Sequence, residues 1–230
     1  MKGTSSDLIQ QTIDRRFEQN ASITDQASPI ERDFYMDLLC VFHDPKKFEA
    51  EDFMKYSIQT LLTYLKQTHQ FYLSKNLADL EYAVESMAER DTSLAPLQEH
   101  FLTFFRKFRK KLEDHINEEE LHLFPYLEAL SEASANGTLR YSATSKMQLV
   151  DFLLHHSDDL EQEISSIVKK LRLVIETKKG SFGLKLLTTK LSIFETDLRI
   201  HGQIEDDVLM PKALQLEKDI LQSANIRLKD

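Results

Sequence analysis

Two stretches of the 230-residue chain place an imidazole four residues before a carboxylate inside an otherwise ordinary helical pattern. One is EDHINEEELHLFPYLEAL (113–130), with His115 and Glu119; the other is LRIHGQIEDDVLMPKAL (198–214), with His201 and Glu205. Four residues is close to one helical turn, so the two side chains of each pair share a face and can reach a common centre. A proline, Pro125 or Pro211, follows six residues after each glutamate. Ionised carboxylates in an apolar core are costly unless they are paired or bound to a metal. Imidazole nitrogen together with carboxylate oxygen suits iron, manganese or zinc. The chemistry these residues point to is therefore metal binding.

The elements that must position them are helices. Five glycines and five prolines in the whole chain leave few breakers, and Leu, Lys, Glu, Gln and Asp abound. Residues 1–30 are polar and read as a mobile arm, and 31–50 hold a short helix (30–42) that HDP ends, with its turn. Four longer helical patterns follow at 51–88, 95–131, 143–178 and 183–220, with 221–230 as a tail. Short connections between long helices imply antiparallel neighbours, so the expected fold is all-α, an up-down four-helix bundle over 51–220. The stripes Ile58, Leu61, Leu62, Leu65 and Phe101, Phe105, Phe108, Leu112 recur at helical spacing. So do Phe152, Leu160, Ile164, Ile167 and Leu187, Leu191, Phe194, Leu198. Each stripe carries a histidine at a core position: His69, His115, His156 and His201.

An internal repeat relates these positions. Phe108/Phe194, Leu112/Leu198, His115/His201, Glu119/Glu205, Leu123/Leu209 and Pro125/Pro211 are all 86 residues apart (201 − 115). Leu65/Phe152, His69/His156, Leu73/Leu160 and Leu80/Ile167 are 87 apart (156 − 69). Two helical hairpins related by a pseudo-twofold would bring His69, His115, Glu119, His156, His201 and Glu205 to one level of the bundle. Six donors exceed the needs of one tetrahedral ion, whereas two ions sharing two carboxylate bridges use all six.

The remaining histidines fit less well. His122 shares the inward face of Glu119, but its repeat partner is Val208, which cannot ligate. His155 is displaced by about 100° from His156. His100 and His43 read as surface or structural residues. Tyr64, Tyr72 and Tyr126 flank the expected centre and read as aromatic packing.

Charge and composition exclude other classes. A formal charge of −9 argues against a nucleic-acid partner, because the phosphate backbone demands a basic surface. The basic run RKFRKK (106–111) reads as the solvated face of a helix. The first residues, MKGTSSDLIQQTIDRR, lack a signal-like apolar segment, and no apolar run is long enough for a bilayer, so the expected setting is cytoplasmic, without a membrane partner. Cys40, the single cysteine, reads as a small buried residue.

The segments THQFYL, DHINEEELHLFPYL, LLHHSDDLEQEI and IHGQIEDDVLMP resemble the hemerythrin-type His-His-Glu cation-binding domain, over roughly residues 52–215. Within it they most resemble the iron-sulfur cluster repair family of di-iron proteins. The resemblance implies two non-haem iron ions, with manganese or zinc as alternatives. It assigns His69, His115, His156 and His201 as terminal ligands and Glu119 and Glu205 as bridges. It further implies a role in nitrosative or oxidative stress or in iron-sulfur cluster repair. That role would proceed by reaction with nitric oxide, oxygen or peroxide, or by release of iron to a damaged iron-sulfur protein. Oxygen-carrying members place another histidine where this chain has Leu160, which points away from reversible oxygen carriage. The repair proteins often carry an N-terminal cysteine pair, and this chain has none. A sensor or store of oxygen or nitric oxide signalling through a partner, and a structural metal bundle without turnover, stay open beside the repair role.

Overall fold

The structure, a computed structural model, describes residues 29–88, 92–136, 149, 160–177 and 182–227. It is all-α, with no strand among the described residues. Helix α1 spans Pro29–His43. Proline suits a first helical position, where its missing N–H costs nothing. Phe34, Leu38, Val41 and Phe42 form its buried face. Cys40 is exposed, contrary to the sequence expectation, because two residues beyond Leu38 is the opposite side of a helix. At the end of α1 the Asp44 N–H donates to Cys40 O at 3.1 Å.

The expected long helix from residue 51 is broken near its start. A single turn, α2 (Ala50–Phe53), is followed by α3 (Ile58–Phe71). Ser57 supplies the stop and the restart, since its Oγ accepts the Thr60 N–H at 3.0 Å, satisfying a donor that the first turn leaves open. A π turn (Tyr72–Asn76) continues into α4 (Leu77–Glu85). Then come α5 (Ala95–Glu118), a π turn (Glu119–Leu123) and α6 (Phe124–Asn136). Helix α7 covers Leu160–Thr177. Helix α8 (Phe182–Gln203) passes through a third π turn (Ile204–Leu209) into α9 (Met210–Arg227), past the expected end at 220. The arm to residue 28 lies outside the described residues, as does most of 137–159.

The chain divides into two compact units. The first comprises residues up to Phe48, Thr68–Asp114 and Asp159–Ile200. Its core holds Leu80, Val84, Phe105, Phe108, Ile164, Leu171, Leu191 and Phe194. Phe194 makes edge-to-face contacts with two rings, Tyr72 at 5.3 Å and Phe108 at 5.9 Å between centroids. Such pairs add about 0.5–1.5 kcal/mol each beyond area burial.

The second unit comprises Glu49–Gln67, His115–Asp158 and His201–Asp230. Phe53, Tyr56, Leu61, Leu65, Ile116, Leu127, Ile204 and Ala213 are buried in it. Helix α9 lies along α6, and α2 lies against the Ile204–Leu209 turn. The Lys66 Nζ donates to Glu128 Oε1 at 2.6 Å, Lys212 Nζ donates to Met54 O at 2.7 Å, and the Tyr126 hydroxyl bonds the Glu217 carboxylate. No helix among the described residues is long and apolar enough to cross a membrane.

Candidate metal centre

Among the described residues, four of the expected ligands belong to the second unit, and local backbone explains how they are aimed. His115 lies in the last turn of α5, and Glu119 opens the π turn behind it. His201 lies in the last turn of α8, and Glu205 stands at the second position of its π turn. The proline six residues after each glutamate has no N–H to give to the carbonyl four residues back, and its ring crowds that carbonyl. A wider turn relieves the conflict. In each turn the residue just before the proline donates instead to the ligand residue's own carbonyl: Phe124 N–H to Glu119 O, and Met210 N–H to Glu205 O. The 86-residue repeat maps 119–123 onto 205–209, so the two wide turns are equivalent. Such π turns often mark functional sites, because they redirect side chains without breaking the helix.

Around these turns the donor atoms converge. His115 Nε2 lies 2.8 Å from Glu119 Oε1, at hydrogen-bond distance. His201 Nε2 lies 3.8 Å from Glu205 Oε2, too far for a hydrogen bond. One ligand atom from each of His115, Glu119 and Glu205 falls within 4.8 Å of the other two. Glu119 and Glu205 are 0% and 5% exposed, which places both carboxylates in the core. Two unit charges about 5 Å apart at an effective dielectric of about 20 repel by roughly 3 kcal/mol, before any cost of desolvation. A divalent cation among these oxygens and imidazole nitrogens removes that repulsion. His115, Glu119 and Glu205 supply one imidazole and two carboxylates, a donor set that suits a borderline transition-metal ion, and this His/Glu group could hold one.

The other candidates sort by burial. His69 is buried, on α3 in the first unit, one turn before the Tyr72–Asn76 segment. His156 and His155 lie outside the described residues. His122 is exposed rather than inward: the wide turn changes the helical phase after Glu119, so Leu123 takes the core position. Glu118, Glu120 and Asp206 are exposed as well, which leaves Glu119 and Glu205 as the buried carboxylates of the two motifs. His100 and His43 are exposed, as expected of surface residues.

Of the tyrosines, Tyr64 lies beside His201 with ring centroids 6.5 Å apart, Tyr72 packs on Phe194, and Tyr126 is engaged by Glu217. The sequence reading missed buried Thr68, next to His69, and buried Asp197, one turn before His201. The i, i+4 step from Asp197 to His201 was the available signal. Comparison with protein-family models, with curated proteins and with solved structures finds no match.

Proposed function

We propose that the chain is a dinuclear non-haem iron protein, built as a hemerythrin-like up-down four-helix bundle. In this reading His69, His115, His156 and His201 are terminal ligands, and Glu119 and Glu205 bridge the two ions. The observation that carries it is the convergence of His115, Glu119 and Glu205 within 4.8 Å, on wide turns that recur at the repeat interval. The repeat extends the set to His69 and His156, because each occupies the core position of its own stripe.

Each part of the chain has a distinct task in such a centre. The imidazoles hold the ions, and Glu119 and Glu205 offer two oxygens each, the capacity a bridge needs. Bound iron would supply redox-active Lewis-acid positions for nitric oxide, oxygen or peroxide. Leu160, standing where an oxygen carrier has a further histidine, leaves such positions uncovered by protein ligands. The buried apolar side chains Ile116, Leu123, Ile204 and Val208 exclude bulk water from the region of the motifs. The protein then acts in nitrosative or oxidative stress, or in repair of a damaged iron-sulfur protein by iron release.

Anaerobic reconstitution with ferrous iron followed by elemental analysis tests the centre, with two ions per chain expected. One ion or none rejects the dinuclear reading. Stopped-flow mixing with nitric oxide tests the chemistry. Rapid, irreversible reaction supports a stress-response role, whereas an inert loaded protein reduces the centre to a structural metal site.

A further inference from the structure

The basic run 106–111, which the metal centre does not use, borders a cleft between α5 and α7 in the first unit with a volume of about 470 Å³. Within the run, Arg109 is held by Glu81 at 2.9 Å and Glu113 at 3.0 Å, and Lys110 pairs with Asp114. Lys111 pairs with Glu163, the one acidic residue among the described residues that line the cleft. Lys107 and Lys170, which line it from either helix, have no ion-pair partner among the described residues. The cleft therefore carries two uncompensated cations in a chain whose net charge is −9. Its apolar wall is made by Phe104, whose ring stacks on Phe108 at 5.9 Å, and by the buried Ile167. Ser166 adds a hydroxyl.

We propose that this cleft binds a small organic anion, an aromatic carboxylate or a close analogue, with its apolar body on Phe104 and Ile167 and its acid group between Lys107 and Lys170. The volume falls within the range of about 300–1,000 Å³ usual for small-molecule sites. A mostly apolar lining with a few polar groups is the usual composition of such sites, the polar groups fixing orientation. Engagement of Glu163 by Lys111 removes the one carboxylate that would repel an anion. The site is independent of the metal centre, since it contains none of the six proposed ligands.

The test is a fluorescence titration of the full chain with 8-anilinonaphthalene-1-sulfonate, which has the required aromatic body and negative group. The chain contains no tryptophan to interfere. Expected are one saturable site per chain and a loss of affinity of roughly tenfold or more in both Lys107→Glu and Lys170→Glu. Lys110→Glu, which alters a lysine outside the cleft, should bind as the parent does. Benzoate should displace the probe and benzyl alcohol should not. Equal affinity in all four proteins, displacement by both competitors, or no saturable binding would overturn the proposal. Circular dichroism confirms folding of each variant, and Lys107→Ala and Lys170→Ala replace any that fail, with the same expected direction.

Discussion

In the proposed centre, Glu119 is the residue at which metal chemistry and fold stability make opposite demands. Its carboxylate is fully buried, within reach of His115 and of the Glu205 carboxylate. Glu119→Gln keeps the shape and removes the charge. In metal-free protein it should raise unfolding free energy by about 1 kcal/mol, because the like-charge repulsion with Glu205 disappears. In iron-loaded protein it should lower stability, because a neutral amide is a poor bridge. Urea unfolding with and without metal reads both signs. Destabilisation in the metal-free protein would instead mark a structural His-Glu ion pair. The proposed bridges also differ from the proposed terminal ligands. Glu119→Ala and Glu205→Ala should each abolish the magnetic coupling and charge-transfer bands of the whole pair, whereas His201→Ala should reduce iron toward one ion per chain. Survival of those bands in both glutamate variants would exclude bridging. At this scale much was legible, because i, i+4 spacing decides which side chains share a face. His122 was misplaced because that rule assumes an α-helical phase, and Glu119 begins a turn that departs from it.

The wide turns are the elements that a periodicity reading passes over, since one extra residue changes the phase without interrupting the apolar pattern. Pro125 and Pro211 fell inside the expected helical patterns 95–131 and 183–220, and both do lie in continuing helical segments, but the wide turns before them left no mark in the pattern. Pro125→Ala restores a backbone donor and frees the turn to tighten. The expected result is an unchanged or higher thermal midpoint with weaker iron binding. Unchanged binding would show that packing alone holds the turn open. Two glycines of α8 behave in opposite ways for equally local reasons. A Cβ at Gly183 would sit 3.1 Å from Met87 O and 3.2 Å from Met87 Cα, and backbone cannot swing aside. A Cβ at Gly202 would meet nothing within 4 Å. Gly183→Ala should therefore cost about 1–2 kcal/mol despite alanine's better helix propensity. Gly202→Ala should stabilise by about 0.5–1 kcal/mol. Thermal or urea unfolding of the two variants checks both signs. Neither effect was legible in sequence, because a close backbone approach has no signature in residue order.

At the scale of the whole molecule the helical class was legible from the scarcity of breakers, but the division into two units was not. The stripe from Ile58 to Val84 runs without interruption through the boundary at Gln67 and Thr68, so apolar periodicity carries no mark of it. The two His-Glu motifs lie in the second unit and the cleft in the first, so iron bound at the motifs and an anion bound in the cleft should stabilise different backbone. Any ligand that binds the native state alone stabilises it, by about 2.7 kcal/mol at a free concentration of 100 Kd. The slowing of amide exchange is greatest where local opening would release the ligand. Iron should therefore protect most strongly the amides around the two wide turns, residues 115–127 and 201–213, which carry imidazoles and carboxylates proposed to bind it. An aromatic carboxylate should instead protect 103–107 and 163–170, which line the cleft or lie beside its lining. Hydrogen exchange read by mass spectrometry, on the full chain with each ligand in turn, separates the two patterns. Protection by iron confined to 103–107 and 163–170 would place the metal away from the His-Glu pairs and overturn the centre. Equal protection everywhere by both ligands would show that they act only through global stability, and that neither has the local site assigned to it.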